Sequence, residues 1–122
     1  MNARAAEQGF TMIEVMVAIL LTAIAVIGVV ALFRVQTSAS SFSRHSTEAT
    51  VLAGDKMEAL RTEGTPASGA DSNLDALGHT GGIYSRVWTV TTGSLLIDYK
   101  VTTTWNEDGV NRTVTLVSKR TR

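Results

Sequence analysis

The chain has 122 residues, a formal net charge of zero at pH 7 and no cysteine. A chain of this length holds one small domain rather than an enzyme-sized core, and its neutrality gives no case for nucleic acid binding. The missing cysteines exclude disulfide bonds and thiol chemistry. Because the sequence also contains no phosphate-binding loop and no spaced nucleophile–base pair, we predict a protein that is not an enzyme and has no cofactor.

The chain begins with a short polar segment, MNARAAEQ, and continues as an apolar run from Phe10 to Phe33 in which Glu14 is the one charged residue. The uncharged part, Val15 to Phe33, would be about 28 Å long as a helix, close to the ~30 Å hydrocarbon core of a bilayer. The run is longer than a signal-peptide core, and no Ala-x-Ala-like cleavage site follows it. We therefore predict a membrane-spanning helix over residues 10–33.

Glu14 is the unusual residue of this run, since a carboxylate at the centre of a membrane helix costs about 2.5–3.5 kcal/mol, and less near an edge. The segment GFTMIE from Gly9 to Glu14, with its polar leader and apolar continuation, resembles the motif of type IV prepilins. The resemblance implies that a prepilin peptidase removes residues 1–9 by cutting after Gly9, and that the same enzyme N-methylates Phe10. The alternative is an ordinary membrane anchor with a tolerated carboxylate.

The resemblance also implies a role and a location. Glu14 would pair with the N-terminal ammonium of a neighbouring subunit as helices enter a filament, and an unpaired carboxylate in a low-dielectric bundle favours such pairing. Before assembly the chain would lie in the bacterial inner membrane, with its N-terminus in the cytoplasm and the globular part that follows the helix in the periplasm.

The helix is predicted to continue over residues 34–63, which contain no proline and a single glycine, Gly54. Apolar residues recur there at helical spacing and trace a stripe along one face. The stripe consists of Val35, Ala39, Phe42, Ala49, Ala53, Met57 and Leu60. We therefore expect one helix over about 10–63, apolar all round in its first half and amphipathic in its second.

Residues 64–82 contain five glycines and the single proline, Pro66, and are predicted to form a loop. Three runs with alternating apolar residues follow, at 83–92, 95–105 and 110–118, separated by turn sequences. Their predicted inner faces carry Tyr84, Arg86, Trp88, Val90, Leu95, Ile97, Tyr99, Val101, Trp105, Val110, Val114 and Leu116. We predict an α+β fold of the type IV pilin kind, in which a small three-stranded antiparallel sheet packs on the helix stripe. The charge of Arg86 conflicts with a buried position on the inner face of the sheet. We therefore expect this residue at the sheet edge or paired with a carboxylate.

No metal site is predicted. His45 and His79 have no spaced ligand partners, and we interpret both as surface residues. The run from Asp71 to Asp75, DSNLD, is similar to the start of a calcium loop, but it lacks the glycine and glutamate that the loop pattern requires. An Asx turn explains these residues equally well.

The segment ATVLAGDKMEALR, residues 49–61, and the spacing of Tyr84, Trp88 and Trp105 resemble PilV-type minor pilins. The resemblance implies a structural subunit that primes pilus assembly near the tip, with other minor pilins, the major pilin and the inner-membrane assembly platform as partners. One alternative is a GspI-like minor pseudopilin of a type II secretion system. The other is a membrane-anchored ligand-binding or adhesive module.

Major pilins usually carry a proline in the second half of the apolar segment, where this chain has Ala31. Glycine weakens a helix by about 1 kcal/mol relative to alanine, and proline by about 3 kcal/mol. We therefore expect an unbroken helix with at most slight curvature at Gly28, which favours a position at the tip over one in the shaft.

Overall fold

The structure, a computed structural model, describes residues 9–122. Most of the predicted leader, residues 1–8, lies outside the described residues. The described chain forms, in order, α1 (Met12–Thr62), β1 (Gly69–Leu74), β2 (Tyr84–Thr92), β3 (Leu96–Glu107) and β4 (Val110–Thr121).

Helix α1 is continuous from Met12 to Thr62, which confirms the long helix predicted over about 10–63. Neither Gly28 nor Gly54 interrupts it, since glycine weakens a helix without removing a backbone donor. The helix ends where the Glu63 amide donates to the Ala59 carbonyl at 3.0 Å. Gly64 and Pro66 follow directly, and proline disfavours a helical conformation for the residue before it.

The first part of the chain, up to Ala39, forms one compact unit by itself. Its large apolar side chains are all exposed, from 48% at Val15 to 83% at Phe10 and Met12. By length and composition, α1 is able to cross a membrane. A helix that is apolar all round needs a lipid or protein environment around it.

The second unit, residues 40–122, is here called the head. It contains a four-stranded antiparallel sheet with the strand order β1-β2-β3-β4. The three predicted strands are present, but the predicted strand number was wrong because β1 lies inside the segment 64–82 that we expected to be a loop. This strand pairs with β2, and Gly69 lies opposite Trp88. A Cβ atom at Gly69 would lie 2.6 Å from the Trp88 ring, so glycine leaves room for that ring against the backbone of β1.

The core of the head lies between the helix stripe and the inner face of the sheet. The predicted helix positions Ala49, Ala53, Met57 and Leu60 are all buried, and Leu52 joins them. The largest fully buried side chains are Trp105, Tyr84, Tyr99, Leu52, Leu60, Val101 and Thr103. Full burial of one large apolar side chain contributes about 1.5–3 kcal/mol, so these contacts are the main source of the head's stability.

The predicted alternation of inner and outer residues is confirmed in the middle of the strands and is wrong at the strand ends. Leu95 was expected on the inner face, but it precedes β3 and is 77% exposed. Val110, also expected inside, begins β4 beside the hairpin turn and is 49% exposed. Residues at strand ends have fewer neighbours to cover them than residues opposite the helix.

The β3–β4 hairpin ends in a two-residue turn, Asp108–Gly109, between the paired residues Glu107 and Val110. Both turn residues have positive φ, 52° and 79°, as a type I′ turn requires. This turn sets the register of the hairpin and places Glu107 next to the helix.

Candidate functional site

The N-terminal motif lies at the start of α1. Gly9, Phe10 and Thr11 are not helical, and the helix begins at Met12. The hydroxyl Oγ1 of Thr11 accepts a hydrogen bond from the Glu14 amide at 3.3 Å. Thr11 is therefore the N-cap of α1, and the Gly9–Phe10 peptide bond lies outside the helix.

Glu14 lies in the first turn of α1 and is exposed. A carboxylate at this position is favoured by the helix dipole. Across residues 9–122, no ion pair is formed by its side chain. Ala18 and Thr22 follow Glu14 at helical spacing, and all three line a shallow groove along the helix surface. Small residues on such a face let another helix approach closely.

The head contains a polar cluster that the sequence reasoning missed. The imidazole Nδ1 of His45 lies 3.3 Å from Oε1 of Glu107, and the His45 side chain is only 15% exposed. The prediction that His45 is an ordinary surface residue was therefore wrong. No local pattern could have revealed the pair, since 62 residues separate its members.

Burial raises the pKa of Glu107, but hydrogen bonding from Ser41, His45 and Trp105 outweighs it and brings the pKa below its ordinary value. Within the described chain, Oε2 of Glu107 and Nε1 of Trp105 are buried and have no hydrogen-bond partner. The cluster thus stabilises the ionised form of the Glu107 carboxylate.

A second polar contact lies beside this cluster. The Tyr84 hydroxyl donates to Oε2 of Glu48 at 2.5 Å, and Arg44 lies 3.6 Å from the same carboxylate. Burial raises the pKa of Tyr84, and the hydrogen bond to Glu48 raises it further. Tyr84 therefore remains a neutral donor that links β2 to α1.

Arg86 is paired with a carboxylate, one of the two outcomes that we expected. Its Nη2 donates to Asp71 Oδ2 at 2.6 Å, and its Nη1 donates to the Leu52 carbonyl at 2.8 Å. The pairing joins β1, β2 and α1. It also occupies the Asp71 carboxylate, the first residue of the segment that is similar to a calcium loop.

Asp75 forms an Asx turn, which accounts for the end of the same segment. Its Oδ1 accepts hydrogen bonds from the Leu77 amide at 2.9 Å and from the His79 amide at 2.8 Å. The bond from the His79 amide is the main cause that lowers the pKa of Asp75. His79 is exposed, as predicted. Over residues 9–122, no three His, Cys, Asp or Glu side chains lie close enough together to hold a metal ion.

The N-cap Thr11 was also missed, although the sequence carries a signal for it. The spacing Thr11-x-x-Glu14 directly before an apolar run is the capping-box pattern of helix N-termini. Only one half of the box is formed in the described chain, because the Glu14 carboxylate does not bond back to the Thr11 amide.

Residues 4–32 match the family model described as the prokaryotic N-terminal methylation motif. The matched segment contains Gly9, Phe10 and Glu14, and it supports a type IV prepilin-like protein. The long helix and the small antiparallel sheet are consistent with the type IV pilin-like α+β fold. No curated protein and no solved structure matches the chain.

Proposed function

We propose that the chain is a structural minor pilin of a type IV pilus, related in role to the PilV-type subunits, and that it helps to prime pilus assembly near the tip. A prepilin peptidase removes residues 1–9 and methylates Phe10. The observation that carries this proposal is the combination at the N-terminus: an exposed Gly9–Phe10 bond outside the helix, a Glu14 carboxylate that forms no ion pair within residues 9–122, and an exposed apolar helix surface.

The chemistry of processing explains why these three features belong together. Hydrolysis of the Gly9–Phe10 bond consumes one water and leaves a carboxylate on Gly9 and an ammonium on Phe10. The membrane helix then carries one cation at Phe10 and one anion at Glu14. A carboxylate in an apolar environment is stabilised by an opposite charge, and the ammonium of a neighbouring subunit supplies it while the apolar surfaces pack.

The proposal implies a set of partners and two locations. The partners are the prepilin peptidase, the inner-membrane assembly platform, other minor pilins and the major pilin, with no nucleic acid among them. The chain lies in the bacterial inner membrane with the head in the periplasm, and then in the pilus. The uninterrupted helix at Ala31 supports the tip rather than the shaft, since a helix without proline resists unwinding.

Mass spectrometry of the mature protein tests the processing directly. We expect a chain that begins with N-methylated phenylalanine at position 10, and a product that begins at Met1 would refute the prepilin assignment. Gly9→Val is the matched variant, because a Cβ at Gly9 meets nothing within 4 Å in the chain itself. Loss of cleavage in that variant would therefore report on the peptidase and not on a misfolded substrate.

The identity of the low-abundance subunits in isolated pili separates the minor pilin from the two alternatives. The chain is expected in sheared pili together with other minor pilins. Its absence from pili, combined with a secretion defect when the gene is deleted, would favour a minor pseudopilin of a type II secretion system. A monomeric product that keeps residues 1–9 would favour a membrane-anchored binding module.

A further inference from the structure

We infer that the outer edge of β4 is a docking site for an extended, acidic segment of another polypeptide, which adds a further strand to the sheet. The outer edge is the side of Val110–Thr121 that faces away from β3. Strand addition joins backbone to backbone, so the partner is recognised by its extended shape and by the charges that it carries. The inference concerns the head and does not depend on processing at Gly9.

The outer edge of β4 presents a row of backbone groups. The Glu107–Val110 pair closes a two-residue turn, so these residues exchange two backbone hydrogen bonds, and every second pair along the hairpin repeats this pattern. The Arg122 amide donates to the Leu95 carbonyl at 3.1 Å and follows the same alternation. Within residues 9–122, β3 is the one strand that pairs with β4. The amide and carbonyl groups that point to the outer edge therefore belong to Asn111, Thr113, Thr115, Val117, Lys119 and Thr121.

The two edges of the sheet differ in how far they are protected against pairing. At the opposite edge, β1 has six residues, its register shifts between Asp71 and Leu74, and Asn73 has a positive φ of 56°. Short length and bulges keep an edge strand from accepting another strand. In contrast, β4 has twelve residues, pairs with β3 in one continuous register and contains no proline. Its middle, residues 113–118, carries no charge, so this edge has the regular geometry that a further strand needs.

The charges of β4 indicate which kind of strand fits this edge. The strand carries Arg112, Lys119 and Arg120 and no acidic residue. Lys119 lies 3.4 Å from Asp98 of β3, but neither arginine forms an ion pair within residues 9–122. Opposite charges on neighbouring strands stabilise their pairing, whereas like charges directly opposite each other weaken it. A strand with an uncharged middle and carboxylates near both ends is therefore complementary to β4.

A second copy of this chain is a poorer occupant for the same reason. Two copies of β4 in antiparallel overlap would bring Arg112 of one copy close to Lys119 and Arg120 of the other. A parallel pair in register would bring each cation close to its own equivalent. Both arrangements place like charges on neighbouring strands. The basic ends of β4 thus oppose self-association, as charged residues on edge strands commonly do, while they attract an acidic strand.

Peptide binding to the full chain in neutral detergent micelles at low salt, followed by fluorescence anisotropy, tests the charge preference. Each labelled peptide has the length of β4 and is N-methylated at every second residue, which leaves it one edge for pairing. The first alternates threonine and valine with glutamate near both ends, the second has lysine instead of glutamate, and the third has the sequence of β4. We expect the glutamate peptide to bind about tenfold more tightly than the other two, because it replaces repulsive cross-strand pairs by attractive ones. Equal binding of the three peptides, absence of binding, or tightest binding of the β4 peptide would overturn the inference.

Val117→Pro tests whether the peptide pairs with the backbone of β4. The Val117 amide points to the outer edge and the residue is 65% exposed, so proline removes an edge donor and leaves the bonds to β3 in place. Val117→Ala is the matched control, because it keeps the amide. We expect the proline variant to bind the glutamate peptide about tenfold more weakly and the alanine variant to bind it like the wild type.

Two further measurements separate a lost edge from a misfolded head. The tryptophan fluorescence spectrum of Val117→Pro should match that of Val117→Ala, since Trp88 and Trp105 are buried in the core. A glutamate peptide that is N-methylated at every residue has no edge for pairing, so it should fail to bind the unchanged chain. Equal binding by the proline and alanine variants, or by the two methylated forms of the peptide, would overturn the inference.

Discussion

Nδ1 of His45 lies 3.3 Å from Oε1 of Glu107, and the two side chains are only 15% and 10% exposed. His45 belongs to α1, and Glu107 ends β3 directly before the Asp108–Gly109 turn. The pair therefore connects the helix to the tip of the β3–β4 hairpin. Because hydrogen-bond donors stabilise the Glu107 carboxylate, we expect the pair to contribute to the stability of the head.

Acidification should destabilise the head through Glu107. Its pKa in the folded chain lies below the ordinary value of 4.5. A carboxyl group with a depressed folded pKa contributes stability above its unfolded pKa and loses that contribution as the pH falls through the folded pKa. Urea unfolding of the full chain in micelles, followed by tryptophan fluorescence, should therefore show a lower midpoint at about pH 3 than at neutral pH.

The matched variant for this prediction is Glu107→Gln, which keeps the shape of the side chain and removes the titrating group. At neutral pH it should unfold at lower urea than the wild type, and its midpoint should change less on acidification. A variant with the same pH dependence as the wild type would show that other carboxyl groups control acid unfolding.

Tyr84→Phe should destabilise the head by about 1–2 kcal/mol, because it removes the hydroxyl that donates to Glu48 and leaves that carboxylate with Arg44 alone. The ring and its contact with Trp105, at a centroid distance of 6.3 Å, would remain. The raised pKa of Tyr84 implies that the wild-type head keeps this contribution up to the ordinary tyrosine pKa of 10 and loses it as the pH rises through the folded pKa. A Phe variant with wild-type stability would show that the hydrogen bond contributes nothing net.

Gly69→Ala should destabilise the head by about 1–3 kcal/mol, since the added Cβ would lie 2.6 Å from the Trp88 ring and force that buried ring to shift. Gly54→Ala provides the control, because a Cβ there meets nothing within 4 Å. Alanine in the helix interior should instead stabilise the chain by roughly 0.5–1 kcal/mol. Equilibrium unfolding of both variants measures the two effects, and equal shifts would contradict the close contact between Gly69 and the Trp88 ring.

The buried face of α1 and the strand β1 show how far the sequence determines the fold. The helical spacing of Ala49, Ala53 and Met57 identifies the buried face because a helix repeats locally. Strand β1, in contrast, has the sequence GADSNL, which is polar and poor in strand formers. It becomes a strand because it pairs with β2 and because the Trp88 ring packs on Gly69. Such tertiary contacts produce no periodic pattern in the local sequence.

The N-terminal motif and the His45–Glu107 pair differ in the same way, since the first is local in sequence and the second is not. The segment from Gly9 to Glu14 is contiguous, so its pattern could be recognised directly, and its capping box is equally local. His45 and Glu107 meet only after the helix, the sheet and the type I′ turn have formed. Neither residue has neighbours in sequence that distinguish it from an ordinary surface charge.

Replacement of Glu14 by valine should leave membrane insertion and cleavage largely intact but impair incorporation into pili. Removal of the charge makes insertion easier, by up to the few kcal/mol that the wild type must recover on pairing. Glu14→Gln should behave like Glu14→Val, because the role concerns charge and not shape. Quantification of the subunit in sheared pili, relative to the membrane pool, checks this expectation, and normal incorporation of either variant would contradict the pairing role.

The final prediction concerns the uninterrupted helix around Ala31, where α1 continues without a break. A proline there would remove one backbone donor and clash with the preceding turn, at a cost of about 3 kcal/mol. If resistance to unwinding keeps this subunit out of the shaft, gold-labelled antibodies to the head should mark wild-type pili at one end. Ala31→Pro should shift label into the shaft, whereas Ala31→Leu, which preserves the helix, should not. Wild-type subunits repeated along the shaft with residues 24–32 unwound would refute both the tip location and its link to helix continuity.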